Sequence, residues 1–377
     1  MENNQPYKKL ADLVITFEGS QIFIRSNAGG VGIVTDPVIV EVLAYFDAPR
    51  TSRDFEGEFG KETLHLMESL VEANLLVAAN KERDSPVFFG FFSGFDVHRK
   101  MLADQERLSK YREAIFATVS EGDVVIDAGA GTGILSVYAA QAGAAKVYAI
   151  DNSEMALMIP KLAKENGFDQ IIEVVQADFA EVQLPEKADV MVSETFGFWA
   201  LDEGAIPDLQ QCAKRHLKIG GRMIPEAFSL YLAPIKTAPD NLYSVFDDRF
   251  DEVRMECLAN ESSLQSSVSK LDPEAVGNSI FVGRYLTLEV TEIIEEATQI
   301  PGPCEALCAY FTLHLSPEID LTNAPHGATT SWIQATLPIL LPHSENQLNL
   351  RIEPAPENRR AISLTLTGDV EKTIRIS

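Results

Sequence analysis

The sequence predicts an α/β chain in which a doubly wound, parallel-sheet core follows a small α+β domain and precedes a β-barrel or β-sandwich. Three observations carry this. Val124-Val125-Ile126-Asp127-Ala128 is an apolar run that passes through Gly129-Ala130-Gly131-Thr132-Gly133 into Ile134-Leu135-Ser136, the order strand, glycine-rich turn, helix. Further apolar runs at Val147–Ile150, Ile172–Val175 and Asp189–Val192 are separated by helix-length segments, as βαβ units require. From residue 226 onward the pattern becomes short alternating strands, namely Phe228–Leu232, Tyr285–Val290, Phe311–Leu315, Ile333–Leu337, Leu348–Ile352 and Ala361–Leu366. Proline, glycine and asparagine fill the turns between them.

Residues 1–84 read as a separate small domain. Leu13–Phe17 and Gln21–Arg25 are expected strands joined at Glu18-Gly19-Ser20. Helices are expected at Pro37–Phe46, Ser52–Phe59 and Lys61–Ala73, the last with Leu64, Met67, Leu70 and Val71 on one face. A hairpin with three short helices has a winged-helix outline and looks similar to the small peptide-binding domains of the PqqD type, which are fused to enzymes that modify ribosomally made peptides. A dimerisation or lid domain fits the same outline. The polar run Asn80–Pro86 is the expected linker. The core then spans 85–225 and the β-rich domain 226–377.

The glycine turn suits a nucleoside cofactor, because glycine allows close backbone approach and a helix amino end offers unpaired N–H groups. Asp151 ends the strand after the turn, where an acid accepts both hydroxyls of a ribose, and Asp178 follows the next strand. Dinucleotide and S-adenosylmethionine sites share this architecture. A pyrophosphate favours the spacing GxGxxG, but here the third glycine comes one residue early and Ile134 stands in its place. That spacing suits a nucleoside whose tail is an amino acid.

Glu194 and Glu203 lie nine positions apart in Ser193-Glu194-Thr195-Phe196-Gly197-Phe198-Trp199-Ala200-Leu201-Asp202-Glu203, directly after an apolar strand. Two carboxylates on one loop at a sheet's carboxyl edge suit a planar cation with forked donors, and guanidinium has that geometry.

The block Asp127–Asp151, with Gly-Thr-Gly-Ile-Leu-Ser and Ala139-Ala140-Gln141-Ala142-Gly143-Ala144, resembles the nucleotide-binding core of protein arginine methyltransferases. So does His98-Arg99-Lys100-Met101-Leu102-Ala103-Asp104-Gln105-Glu106-Arg107-Leu108, which looks like that family's helix over the cofactor. The double-glutamate loop matches in type and spacing, and Gly220–Pro225 matches the turn that leaves the core. The resemblance covers residues 88–235 closely and implies a Rossmann-like class I methyltransferase core followed by a β-barrel. It implies S-adenosyl-L-methionine as cofactor, held by His98, Arg107, Asp127, Gly129, Gly131, Gly133, Asp151, Asp178 and Glu194, with Arg107 gripping the methionine carboxylate. Met101 would pack beside the methyl group, with Phe92 and Trp332 on the substrate. Glu194 and Glu203 would draw the guanidinium's positive charge toward the nitrogens they touch, leaving the reacting nitrogen more lone-pair character. No metal is implied.

Three departures from the resembled pattern stand out. Thr330-Ser331-Trp332 has serine where most members carry the histidine that pairs with the helix aspartate, matched here by Asp104. Serine cannot store a charge, so the proton's route changes, with His326 as a possible substitute. Ala180 replaces a common adenine-binding glutamate, and Asp178 takes that role instead. Phe92 stands where many relatives have tyrosine. Asp240–Val276 occupies the place of the family's dimerisation arm, so a homodimer is expected.

The 377 residues carry 56 acidic and 31 basic side chains, a net charge of −25, which repels nucleic-acid phosphates and draws in cations. No apolar run reaches the ~20 residues that span a bilayer, so a cytoplasmic protein is expected. The four cysteines, Cys212, Cys257, Cys304 and Cys308, are too few and too badly spaced for a disulfide framework. The expected reaction is methyl transfer to arginine, in a peptide or protein or as the free amino acid. A catalytically silent, cofactor-binding scaffold is the alternative.

Overall fold

The computed structural model describes residues 6–9, 13–18, 21–26, 33–35, 38–46, 48–72, 75–78, 94–237, 266–355 and 358–376. They belong to two compact units, Met1–Val97 with Ser153–Met155, and His98–Asn152 with Ala156–Ser377. Among the described residues no helix is long and apolar enough to cross a membrane.

In the first unit β1 (Pro6–Lys9) pairs antiparallel with both β5 (Arg50–Thr51) and β6 (Leu76–Ala78). A second antiparallel sheet holds β2 (Leu13–Glu18), β3 (Gln21–Ser26) and β4 (Ile33–Thr35). The three helices are α1 (Val38–Tyr45), α2 (Ser52–Phe59) and α3 (Leu64–Glu72), all close to their expected bounds. A capping box starts α2: Thr51 Oγ1 accepts from the Asp54 N–H at 3.1 Å, and Asp54 Oδ2 accepts from the Thr51 N–H at 2.8 Å. Gly60, at φ +87°, ends it. Phe55 stacks between Phe46 and Phe59 at 5.6 and 4.8 Å, over a core that includes Ile39, Leu43, Met67 and Leu70. The expected linker lies outside the described residues.

The second unit starts from α4 (Phe95–Ala103, whose first residues belong to the first unit) and α5 (Gln105–Thr118). The sequence reads as one helix here, but the chain breaks at Asp104, which leaves helical geometry to cap α5. The core follows as β7 (Val124–Ala128), α6 (Ile134–Gln141), β8 (Lys146–Ile150), α7 (Ile159–Glu165), β9 (Ile172–Val175), β10 (Ala188–Ser193), α8 (Ile206–His216) and β11 (Leu217–Ile224). The sheet is parallel, in the order β11-β10-β7-β8-β9, and its central strand β7 is buried along its whole length. Strand order reverses between β7 and β10, the switch point where such sheets open a crevice at their carboxyl ends. Ala128 pairs with Ser193 and with Ile150, so Gly129, Glu194 and Asp151 leave three strands at one level. Gly220-Gly221, expected as a turn, sits in an irregularity of β11 where the pairing jumps from Leu217 to Arg222.

Beyond the core, β12 (Ala227–Ile235), β13 (Ser267–Ser269), β14 (Ile280–Leu286), β16 (Ala306–Ser316), β17 (Ile319–Thr322) and β18 (Gln334–Leu337) form a six-stranded antiparallel sheet. A four-stranded one holds β15 (Ile294–Pro301), β19 (Glu345–Ala355), β20 (Asn358–Gly368) and β21 (Lys372–Ile376). Strand β14 ends at Leu286 instead of Val290. Thr287 turns the chain there, donating from Oγ1 to the Pro225 carbonyl at 2.8 Å. Apolar side chains of both sheets join those of the core, with Trp199 and Phe196 packed in one cluster with Phe228, Phe311 and Leu313. Most of the expected arm, residues 240–265, lies outside the described residues.

Candidate active site

The turn after β7 is tight because its neighbours leave no room. Gly129, Gly131 and Gly133 have φ of +78°, +53° and +83°. A Cβ at Gly129 would lie 2.5 Å from Thr195 Cγ2, one at Gly131 3.1 Å from His98 Cε1, and one at Gly133 2.9 Å from Ile159 Cγ2. His98, buried on α4, therefore sits directly against the turn. Asp151 Oδ2 accepts from the Gly131 N–H at 2.7 Å, which ties the end of β8 to the turn. Asp178 Oδ1 accepts from the Ala180 N–H at 2.8 Å beyond β9.

Asp127 closes the floor of the crevice. Its Oδ2 accepts from Ser136 Oγ at 2.6 Å, whereas Oδ1 is buried with no hydrogen-bond partner. Burial pushes its pKa up to about 7, the Ser136 hydroxyl opposes the rise, and the Asp151 and Glu194 charges add to it. A buried acceptor without a partner, surrounded by carboxylates, fits a cationic ligand. The donor set therefore fits an amino-acid nucleoside with an ammonium and a sulfonium centre.

Arg107 is the hub of the second half of the site. Only 4 % exposed on the first turn of α5, it places Nη1 3.0 Å from Glu194 Oε2 and donates from Nη2 to the Met101 carbonyl at 2.9 Å. Its guanidinium lies 5.3 Å from the Trp332 ring centroid. Asp104 holds both sides of this arrangement: Oδ1 accepts from the Arg107 N–H at 3.0 Å and Oδ2 from the Ser331 N–H at 2.5 Å. The Ser331 side chain is exposed, so position 331 reaches Asp104 through its backbone. His326 is exposed as well. Burial pushes the Glu194 carboxyl up to about 7 against the pull of Arg107, and Asp104 adds to the rise.

Glu203 follows on the same loop, half-buried. Between the two glutamates the chain folds around Asp202, a residue that sequence reasoning missed. Asp202 is buried and accepts from the Phe198 N–H at 2.9 Å and the Trp199 N–H at 2.7 Å. Burial raises its pKa and these N–H groups oppose the rise. Gly197 gives it room, since a Cβ there would overlap the Asp202 carboxyl. Ala200 adopts φ +61° at the loop's tip, and Trp199 Nε1 donates to the Tyr310 carbonyl at 3.1 Å. Tyr111 Oη donates to the Ser193 carbonyl at 3.0 Å and so fixes the loop's start to α5. The structure thus brings together Arg107, Glu194, Asp104, Met101, Ser331 and Trp332 at one place, and His98, Asp151 and the three glycines at another. Phe92 lies outside the described residues.

Residues 111–225 match the family described as Ribosomal protein L11 methyltransferase (PrmA). Danio rerio protein arginine N-methyltransferase 6 is 28% identical over 318 residues, 76% of this chain and 89% of the relative. The probable protein arginine N-methyltransferase 1.2 of Arabidopsis thaliana is 30% identical over 270 residues, 66% of this chain and 72% of its own. Among solved structures, the Trypanosoma brucei PRMT1 enzyme–prozyme heterotetrameric complex with AdoHcy superposes with a TM-score of 0.67 at 25% identity, covering 76% of this chain and 99% of that one. Arabidopsis thaliana protein arginine methyltransferase 10, in an open conformation, gives 0.67 at 26%, with 77% and 100% covered.

Proposed function

The chain belongs to the protein arginine N-methyltransferase family, and on that premise we propose that it transfers a methyl group from S-adenosylmethionine to a guanidino nitrogen of an arginine presented by a peptide or protein. The observation that carries this reading is Arg107, buried between Glu194 at 3.0 Å and the Trp332 ring at 5.3 Å, with Glu194 leaving β10 at the level where the glycine turn leaves β7.

S-adenosylmethionine supplies a methyl group already activated on a sulfonium. What remains for the protein is binding and alignment. Arg107 grips the methionine carboxylate, Asp127 answers the ligand's positive charge, Asp151 takes the ribose hydroxyls, and Asp178 meets the adenine. His98 closes over the turn. Glu194 and Glu203 accept hydrogen bonds from the substrate guanidinium and draw its charge toward the nitrogens they touch, so the reacting nitrogen gains lone-pair character. Because the substrate stays cationic until transfer, no strong base acts first. The product's proton leaves afterwards to Glu203, Asp104 or water. Asp104, whose two oxygens accept the Arg107 and Ser331 N–H groups, also positions the helix start against the Thr330-Ser331-Trp332 loop.

We read residues 1–84 as a winged-helix domain of the PqqD type, a reading that favours a peptide substrate, with residues 85–225 as cofactor domain and 226–377 as substrate and dimerisation domain. We place the enzyme in the cytoplasm as a homodimer. The test is mass spectrometry of arginine-rich peptides and of free arginine after incubation with S-adenosylmethionine. Methylene mass increments on peptides alone support the reading. Increments on free arginine alone overturn its peptide part, and none on either overturns it whole. A monomer by light scattering overturns the dimer.

A further inference from the structure

Asn323 lies between β17 and β18 and is 1 % exposed. Its amide faces two ways. On one side Oδ1 accepts from the Phe311 N–H of β16 at 2.8 Å. On the other Nδ2 donates to the Phe198 carbonyl at 3.0 Å, to the Ile333 carbonyl at 2.8 Å and, more weakly, to the Trp332 carbonyl at 3.3 Å. The amide has one satisfactory orientation, because flipping it would turn its oxygen toward three carbonyls. Its backbone is held as well: Gln334 Nε2 donates to the Asn323 carbonyl at 2.7 Å, and the Asn323 N–H to the Phe311 carbonyl at 3.3 Å.

These partners belong to the two loops that flank Arg107. Phe198 lies between Glu194 and Glu203 on the glutamate loop, and Trp332 is the ring under the Arg107 guanidinium. We propose that Asn323 is a positioning residue that fixes the spacing of the glutamate loop against the Thr330-Ser331-Trp332 loop, and through it the place where the substrate guanidinium is held. One planar amide, itself held to Phe311 of β16, spans both loops, so the spacing cannot change without breaking a buried hydrogen bond. Among the described residues Asn323 has no hydrogen bond to the glycine turn or Asp151, and it meets the Arg107 environment only through the Trp332 carbonyl. Its effect therefore falls chiefly on the arginine substrate and only weakly on the cofactor.

This rests on the methyl-transfer reading, so the test has two arms on the full chain carrying Asn323→Ala, at a temperature where circular dichroism shows it folded. In the first, kcat/KM for an arginine peptide is expected to fall about tenfold to a hundredfold, as ångström misplacement of a reacting group costs, with KM rising. Affinity for S-adenosylhomocysteine is expected to stay within about threefold of wild type, a fraction of a kcal/mol. In the second, read on the cofactor-free protein, amide hydrogen exchange is expected to accelerate together in residues 197–203 and 330–333. Exchange unchanged in either loop, or wild-type turnover by a variant with both loops loosened, overturns the proposal. An inactive wild type counts against the function alone, since the exchange arm still decides this inference. Should Asn323→Ala not fold, Asn323→Ser keeps a small polar group toward Phe311 but cannot reach the loops, and it carries the same comparison.

Discussion

Arg107 Nη1 and Glu194 Oε2 stand 3.0 Å apart, so the cation assigned to the cofactor and the first carboxylate of the substrate clamp are one ion pair. On the proposed reading Arg107 is shared between two acids, the methionine carboxylate and Glu194, so that each binding event would report on the other. Glu194→Gln separates the roles. The amide keeps the shape but cannot draw a guanidinium's charge, so kcat/KM should fall about 10²- to 10³-fold, the loss seen when one oriented electrostatic partner is removed. Arg107, released from its pair, should keep or gain affinity for S-adenosylhomocysteine in calorimetry. Wild-type turnover by this variant would sink the clamp.

The same pair sets a pH dependence. Burial brings the free Glu194 carboxyl up to about 7, and the clamp needs the carboxylate. In the free enzyme kcat/KM should therefore rise as pH increases through about 7, measured by initial rates at subsaturating peptide. Stability runs the opposite way. Glu194 and Asp127, both at about 7, start from ordinary values of 4.5 and 3.8, so across that window the native state holds more protons than the unfolded chain. The melting temperature of the cofactor-free protein should fall as pH rises from about 5 to about 8. Asp127→Asn should flatten the decline, and an equally steep decline in that variant would remove Asp127 as a source.

Much of this site is legible in the sequence, for reasons that differ residue by residue. Strand β7 is buried along its whole length and so reads as an unbroken apolar run, and the turn after it needs glycine at three positive-φ positions. Strand β15 escaped notice because only Ile294 and Ile300 of its residues are buried, leaving Glu295, Glu296 and Gln299 to dominate its composition. The break between α4 and α5 carries the local signature of an aspartate N-cap, Asp104 to Arg107, which the helical run on either side obscures. Asn323 is different in kind. Its partner Phe198 is 125 residues away, and no local pattern distinguishes a buried asparagine that joins two loops from one in an exposed turn.

The glycine turn offers a test of packing that a second substitution can partly reverse. Gly129→Ala places a Cβ against Thr195 Cγ2 at 2.5 Å and forces alanine to φ +78°. Together these should cost ~1–3 kcal/mol in urea unfolding, with weaker cofactor binding. Thr195→Ser removes the offending methyl while keeping the hydroxyl that sits 2.9 Å from Ser193 Oγ. The double variant should recover the steric part and retain the backbone cost of about 1 kcal/mol. Simple additivity of the two changes would show that the contact is not the cause.

Asp104→Asn separates the structural role of that aspartate from the effect of its charge on Glu194. Its two oxygens accept the Arg107 and Ser331 N–H groups, and an asparagine keeps only one acceptor, so either the cap of α5 or the tie to the Thr330-Ser331-Trp332 loop is lost. Losing a charge-assisted bond to the backbone should cost ~1.5–3 kcal/mol, seen as a lower melting temperature. The electrostatic consequence is separate and has a definite sign. The Asp104 charge helps to hold the Glu194 carboxyl up, so neutralising it should move the rise of kcat/KM with pH to lower pH. A purely structural aspartate would lower the rate without moving that limb.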